Sequence, residues 1–461
     1  MITGFRLAAA LALLATPVLA QAPQPPVALP SPLPLFPADN WWNVDVSTAP
    51  VDANSTNFIN FIGSTVGMHP DFGGDDGTLY GVYGMIYAVV PGTTPLEIVD
   101  FSPGWPDQSD SGAPGRPVGY PIPVAARSQP KWIEGGQPGG GSGGDRHMLL
   151  VDKDNRLLYE LYATHWNAAI GRWQAQSGAI FCLDGNGRRT ETWTSADAAG
   201  LAILPGLVRY DEAFGPNPIR HALRMTADYT NGYVFPASHD ASSSSNANAV
   251  PLGARLRLKA SKNISGYPAY IQKIFQAMKT YGLIVADNGS DMYVSGAYDP
   301  RWNNDELNPA FFALKVSDFE VVQRGWTPPV ATSTGALDFY TLAPCRIIDT
   351  RLAAGPYGGP ALLPLTDRVV VAAGRCGIPA TARALSLNVT AVTSPGPGHL
   401  RFYPGNASPP LVATVNYFTG QTRGNNAIVM LASSGTGTFS VKSFTPLGSV
   451  HFIVDVNGYF Q

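Results

Sequence analysis

The sequence predicts a mainly β protein: an antiparallel β-sandwich or barrel-like amino-terminal domain with one or two covering helices, followed by a small carboxy-terminal β-sandwich. Three observations predict it. Apolar residues recur mostly with period two between turns rich in Gly and Pro, of which the chain has 49 and 41, as antiparallel strands require. One long segment departs from that period and has helical spacing instead. A Pro/Thr/Ser stretch, RGWTPPVATSTGALDFY at 324–340, marks a change of composition: all nine tryptophans lie between Trp41 and Trp326, and five of the seven histidines lie in the same part.

Residues 1–20 read as an export signal. Arg6 supplies the positive end, Leu7 to Leu14 the apolar core and Val18-Leu19-Ala20 the cleavage site. The predicted location is therefore outside the cytoplasm: extracellular, cell-surface or periplasmic. No run approaches the ~18 uninterrupted apolar residues of a membrane span. QAPQPPVALPSPLPLFP (21–37) is a Pro-rich extended leader. The main domain is placed at 38–323, a linker at 324–337 and the second domain at 338–461. Within the main domain, NSTNFINFIG (54–63) and SGYPAYIQKIFQAMKTYG are the helices. In the second of these, Ile271, Ile274, Phe275 and Met278 follow the i, i+3, i+4, i+7 spacing, Pro268 suits the first turn and Gly282 the stop. Such a stripe faces a core, so this helix is expected to cover a sheet.

After the linker, RALSLNVTAV, LVATVNYF, AIVMLAS, TFSVKSF and VHFIVDVNGYF are five short β-type runs, the pattern of a small sandwich. The stretches APCRIIDTR, RCGIPATARALSLNVT, QTRGNNAIV and VDVNGYF resemble an accessory module recurrent in secreted bacterial proteins. The resemblance covers nearly all of 338–461 and implies surface attachment or glycan contact without catalytic residues. In the main domain, HPDFG, GDRHMLLVD, LPGLVRYDE, RHALR and YGLIVADNGSDMYVSGAYDPRW resemble a family of secreted bacterial proteins without an established activity. That likeness spans roughly 36–322 and transfers no mechanism.

Charged residues make up only 14% of the chain, the net charge is −3, and Lys and Arg form no block. The electrostatic footprint of a nucleic-acid partner is missing. Of three cysteines, Cys345 and Cys376 share one region and would bridge in an oxidising compartment, and Cys182 reads as an inert buried thiol. The loop GGQPGGGSGGD (135–145) matches both a dinucleotide fingerprint and a nucleophile elbow, but a strand-like HMLLVD follows it where each motif needs a helix. It reads as a loop beside a cleft. No His-Glu-x-x-His or structural zinc spacing occurs, which leaves only a metal assembled from distant residues such as His147, His221 and His239. No cofactor is required by any motif. Asp287, Asp291 and Asp305, or Asp71, Asp75 and Asp76, read first as turn residues, with Asp287-Asn288-Gly289 a hairpin signal, and as a calcium option second, because loops supply oxygen ligands but no complete EF-hand spacing is present.

Two segments carry the chemistry. GDRHMLLVDKDNRLLYELYATHW (144–166) reads as two strands joined at Asp152 to Asn155; a two-residue turn there places His147 opposite Glu160 or Tyr162 and on the face of Glu160, whereas a three-residue loop would separate them. Against Leu158 and Tyr162, the Glu160 carboxyl is expected to titrate high. LPGLVRYDEAFGPNPIRHALRM (204–225) reads as a hairpin whose end carries Tyr210, Asp211 and Glu212, with His221 pointing to the packed side and Arg224 away from it. The resulting expectation is a glycoside hydrolase acting on an extracellular polysaccharide or cell-surface glycan. Glu160 with Glu212 (or Asp211) would be its carboxylate pair, with His147, His221 and Tyr210 tuning charge. Trp132, Trp166, Trp173, Trp193 and His239 would contact sugar. Two other readings stay open: a glycan-binding or adhesive protein, and a polysaccharide lyase using His and Tyr. Close convergence of Glu160 with Asp211 or Glu212 in a cleft favours the hydrolase, His/Tyr beside Arg or Lys favours the lyase, and an exposed aromatic row with no convergent ionisable group favours binding only.

Overall fold

The computed structural model describes residues 28–112, 118–327, 337–445 and 448–461. The export signal, part of the Pro-rich leader and the linker centre lie outside these described residues.

The protein is mainly β, as predicted. Its amino-terminal region is organised around a six-stranded sheet in the order His69–Asp71, Tyr293–Ser295, Leu223–Ala227, Leu283–Asn288, Arg255–Leu258, Phe319–Val321. Parallel and antiparallel pairs are mixed in it: His69–Asp71 runs parallel to Tyr293–Ser295, and Leu223–Ala227 parallel to Leu283–Asn288. A parallel pair needs a long crossover, and the helix Ala269–Thr280 lies on this one. Its residues Ile271, Ile274, Phe275 and Met278 are fully buried in the core, as the spacing predicts. The second predicted helix is Ser55–Ile62, and a third, Asn304–Phe312, joins them.

A four-stranded sheet, Tyr87–Val90, Met148–Asp152, Leu157–Tyr162 and Ser177–Cys182, is buried on both faces. Leu149, Val151, Leu158 and Phe181 belong to the core of the six-stranded sheet. Met148, Leu150, Tyr159 and Leu161 form a second core with Tyr120, Trp132 and Trp173. A sheet covered on both sides reads as continuous apolar runs, which hides its parallel pairings from a period-two reading.

The turn at Asp152 to Asn155 is confirmed. Asp152 accepts the N–H groups of Asp154 and Asn155 and the Asn155 side-chain amide, and Asp152 pairs with Leu157 across a four-residue loop. An even loop keeps the parity of the faces. Leu149 therefore faces Glu160, and His147 falls opposite Tyr162, their rings 5.4 Å apart.

The segment 204–225 is not a hairpin. Leu204–Gly206 is a single 3₁₀ turn, Tyr210–Phe214 a short helix, and strand begins only at Leu223. Pro205 and the Arg209–Glu212 capping pair favour turns over extended backbone. Arg224, expected to face outward, is instead buried because this strand lies inside the sheet. Cys182 also differs from expectation. It is exposed, because it ends an edge strand with its side chain opposite the buried Phe181.

The carboxy-terminal region is the predicted sandwich. It has two four-stranded antiparallel sheets, one containing Phe339–Asp349, His451–Phe460, Ala384–Val392 and Arg423–Met430, the other Asp367–Val371, Thr438–Phe444, Gly398–Pro404 and Val415–Tyr417. Cys345 and Cys376 are bonded, with Cα atoms 5.7 Å apart and a separation of 31 residues. Closing a loop of that length restricts the unfolded chain by about 3–4 kcal/mol. Cys345→Ser with Cys376→Ser is thus expected to lower the unfolding temperature of this sandwich in calorimetry, and an unchanged transition would show that the bond contributes nothing.

Candidate functional site

The six-stranded and four-stranded sheets of the amino-terminal region are linked by a polar network centred on Arg224. A guanidinium inside a buried strand must find partners for its donors, and it does. Nε and Nη2 bind the two oxygens of buried Asp197 at 3.0 and 2.8 Å, Nη2 also reaches Asp287 at 2.9 Å, and Nη1 donates to Ser295 Oγ at 2.7 Å. The residue before Asp197 continues the network, since the Ala196 carbonyl accepts from His147 Nε2 at 3.0 Å. His147 Nδ1 then donates to Glu134 at 2.7 Å, and the His147 backbone N–H donates to the same oxygen.

Both ring nitrogens of His147 thus face acceptors, which satisfies the doubly protonated ring. The interior of the network is closed: the side chains of His147, Asp197 and Arg224 are 3, 0 and 4% exposed, whereas its two carboxylate ends, Glu134 and Asp287, are 25 and 28% exposed.

The two ends titrate in opposite directions. Burial raises the Asp287 carboxyl, the charge of Asp197 raises it further, and Arg224 only partly offsets this, so it is pushed up to about 7. Burial also raises Glu134, but the charge and hydrogen bonds of His147 outweigh it and leave Glu134 below the ordinary carboxylate range. Burial disfavours a charged His147, yet Glu134 overrides it and holds the ring up at about 9.

A second cluster adjoins the first. Tyr83 Oη lies 2.6 Å from His69 Nε2 and is hydrogen-bonded to Asp71. Alternation along His69–Asp71 puts the His and Asp on one face, and Tyr293 packs on the His69 ring at 4.4 Å. Asp71 is paired in register with Ser295, the residue whose hydroxyl accepts from Arg224, so this cluster adjoins the network.

The residues predicted from sequence are distributed as follows. Glu160 is fully buried, and its carboxylate accepts the N–H groups of Ile203 and Leu204 at 2.8–3.0 Å. Burial pushes it up to about 7 against those hydrogen bonds, the direction expected, and Asp197 and His147 are its charged neighbours. Glu212 belongs to a separate group. It accepts from Arg209 N at 3.1 Å, Arg209 Nη2 at 2.6 Å and His221 Nε2 at 3.0 Å, while Asp211 sits on the exposed side of that helix. The expected carboxylate pair is therefore not formed: Glu160 lies on the strand face of His147 and bonds only backbone N–H groups, while Glu212 is held with His221 in a separate cluster. Tyr210 is stacked between Arg301 at 4.1 Å and Phe214 at 4.2 Å.

The tryptophans need correction. Trp132 and Trp173 are 3 and 0% exposed and fill the second core, leaving no face for sugar. Trp166 and Trp193 are half-buried, and each has a face taken by Arg127 or Arg189. His239 Nδ1 donates to the Ala198 carbonyl at 2.9 Å. The aspartates considered for calcium are dispersed. Asp287 binds Arg224, Asp291 accepts from Asp228 N, and Asp305 is in the first turn of Asn304–Phe312. Asp71 bonds Tyr83, Asp75 binds Lys131 and Tyr298, and Asp76 binds Thr78. Among the described residues, no three His, Cys, Asp or Glu side chains are grouped to hold a metal ion.

Arg224, Asp197, Glu134 and Tyr83 were not singled out by the sequence reading. Arg224 had a signal, a charge within the apolar strand LRMTA. Glu134, in a Gly-rich loop, had none.

The network has a pH consequence. In Asp287, Glu160 and His147 the folded state keeps its proton to a higher pH than the unfolded chain, whose reference values are 3.8, 4.5 and 6.5. Their contribution is therefore largest on the acid side and falls as pH rises, through about 7 for the carboxyls and about 9 for the histidine. Urea unfolding is expected to show a less stable amino-terminal region at pH 9 than at about pH 5.5, with His147→Gln flattening the upper part of the decline. Stability that does not change over this range would contradict the assignment.

No family model matches the chain, and no curated protein matches it. Two solved structures of the coat protein of Tobacco streak virus align with 27 and 28% of this chain and 90 and 89% of theirs, at 10 and 8% identity and a TM-score of 0.17 in both cases. A similarity this low bears on neither fold nor function. Among the described residues no helix is long and apolar enough to cross a membrane.

Proposed function

We propose that the protein is a carbohydrate-active enzyme that hydrolyses glycosidic bonds of an extracellular polysaccharide at the Arg224 network. Asp287 would serve as general acid and Glu134 as the carboxylate that activates water or attacks. One observation carries the reading: a buried hydrogen-bonded network ends in two partly exposed carboxylates whose surroundings push them apart, Glu134 downward beside His147 and Asp287 upward beside Asp197, the separation that acetal hydrolysis uses. Glu160, the acid expected from sequence, would have a supporting role, because its buried carboxylate anchors Ile203 and Leu204 beside His147.

A specific observation favours the lyase as second reading. The Tyr83–His69 pair at 2.6 Å adjoins a network containing Arg224, and Tyr with His can remove and return the proton of a uronate carbon. The experiment is a polysaccharide panel with the purified chain, reading new reducing ends and absorbance of unsaturated products. Reducing ends without absorbance support hydrolysis, whereas both together move the assignment to elimination at Tyr83. Silence on a broad panel with retention on an insoluble glycan would replace catalysis by binding.

A further inference from the structure

We propose that the cavity beside Glu212 is a second, non-catalytic site that binds one neutral sugar ring through a vicinal diol. This goes beyond the reading of the Arg224 network and does not depend on it. The cavity has a volume of about 260 Å³, slightly under the ~300 Å³ at which pockets for larger ligands begin, so it suits one ring rather than a chain.

Its walls are apolar, from Leu33, Leu35, Pro205 and Pro216, and suit the C–H face of a pyranose. Its floor is fixed in advance. Glu212 is held by Arg209 and by His221, and Lys273 Nζ donates to the Glu212 carbonyl at 3.2 Å. At the mouth stand three exposed planar side chains, Asp211, Asn217 and Arg220. The last two make no hydrogen bond among the described residues, and Asp211 lies 3.5 Å from Arg209 Nε.

Adjacent hydroxyls are matched by such a set, because each can donate to a carboxylate or amide oxygen while accepting from an amide or guanidinium N–H. The charges select against ionic ligands. Among the lining side chains Arg209 and Arg220 balance Asp211 and Glu212, and Lys273 Nζ, bound to the Glu212 and Gly215 carbonyls, adds one positive charge behind the floor, so no field of a single sign fills the cavity.

The test is saturation-transfer NMR on the full chain with methyl α-glucoside, methyl α-galactoside and methyl α-mannoside, repeated on Asn217→Ala and Arg220→Ala. Both substitutions are on exposed loop side chains, and circular dichroism confirms the fold. The expected result is binding of at least one glycoside, weakened about tenfold in each variant, which corresponds to ~1.4 kcal/mol, and retained in Asp287→Asn. No transfer to any of the three, or transfer undiminished in both variants, would overturn the proposal. Preferential binding of gluconate or glucosamine would overturn the neutral assignment. Loss of polysaccharide cleavage with glycoside binding intact would separate a failure at the Arg224 network from one here.

Discussion

Asp287→Asn is expected to lower polysaccharide cleavage by about 10²–10⁴-fold, with Glu134→Gln of similar size, because a positioned acid or base contributes on that scale. The pH profile identifies the roles. A general acid must carry its proton, so activity should fall as pH rises through about 7, where Asp287 ionises. Glu134 must be ionised, so its limb lies below the ordinary carboxylate range, where His147 holds it. Glu134→Gln should remove the acid limb and leave the upper one. Initial rates across pH on the best substrate of the panel provide the check, and an Asp287→Asn protein with undiminished rate would end the acid assignment. Tyr83→Phe distinguishes the second reading: under hydrolysis it should change rate modestly, under elimination it should be as damaging as Asp287→Asn.

Arg224→Met is the substitution expected to cost most in stability. Removing one member of a buried ion pair leaves the other charge without compensation, at a cost of about 3–5 kcal/mol. Here Asp197 has no exposure of its own and loses both of its guanidinium bonds. Calorimetry of the full chain should show the amino-terminal transition shifted sharply down and the transition of the disulfide-linked sandwich unmoved. Combining Arg224→Met with Asp197→Leu should recover part of the loss, since an apolar pair of similar volume needs no counter-charge. A single variant as stable as the parent would mean that water, rather than Arg224, satisfies Asp197.

The sequence was most informative where a local rule decides the outcome. The helix Ala269–Thr280 follows from spacing alone, and the Asp152 turn from the habit of Asp and Asn to accept nearby N–H groups. Strand parity placed His147 on the face of Glu160, and burial on that packed face raises the Glu160 carboxyl. What was not legible depends on which strands become neighbours. Parallel pairing of Leu223–Ala227 with Leu283–Asn288 turns Arg224 from an outward charge into the centre of the network and brings Asp287 to it. Glu134 reaches His147 from a loop whose composition carries no periodic signal. The 204–225 segment failed for a different reason. Its apolar run is long enough for a strand, but Pro205 and the Arg209–Glu212 cap make successive turns instead.

The route by which Asp287 joins Arg224 also bears on biogenesis. A chain made from its amino terminus carries Asp197 and Arg224 well before the crossover helix and the strand that brings Asp287. Non-local parallel contacts form slowly because chain closure precedes the reward. Nascent or truncated forms ending before residue 283 would hold an incomplete charge set and lack Asp287, the proposed acid. Protease resistance and catalysis should therefore be acquired together, late, and only by chains that have completed the crossover.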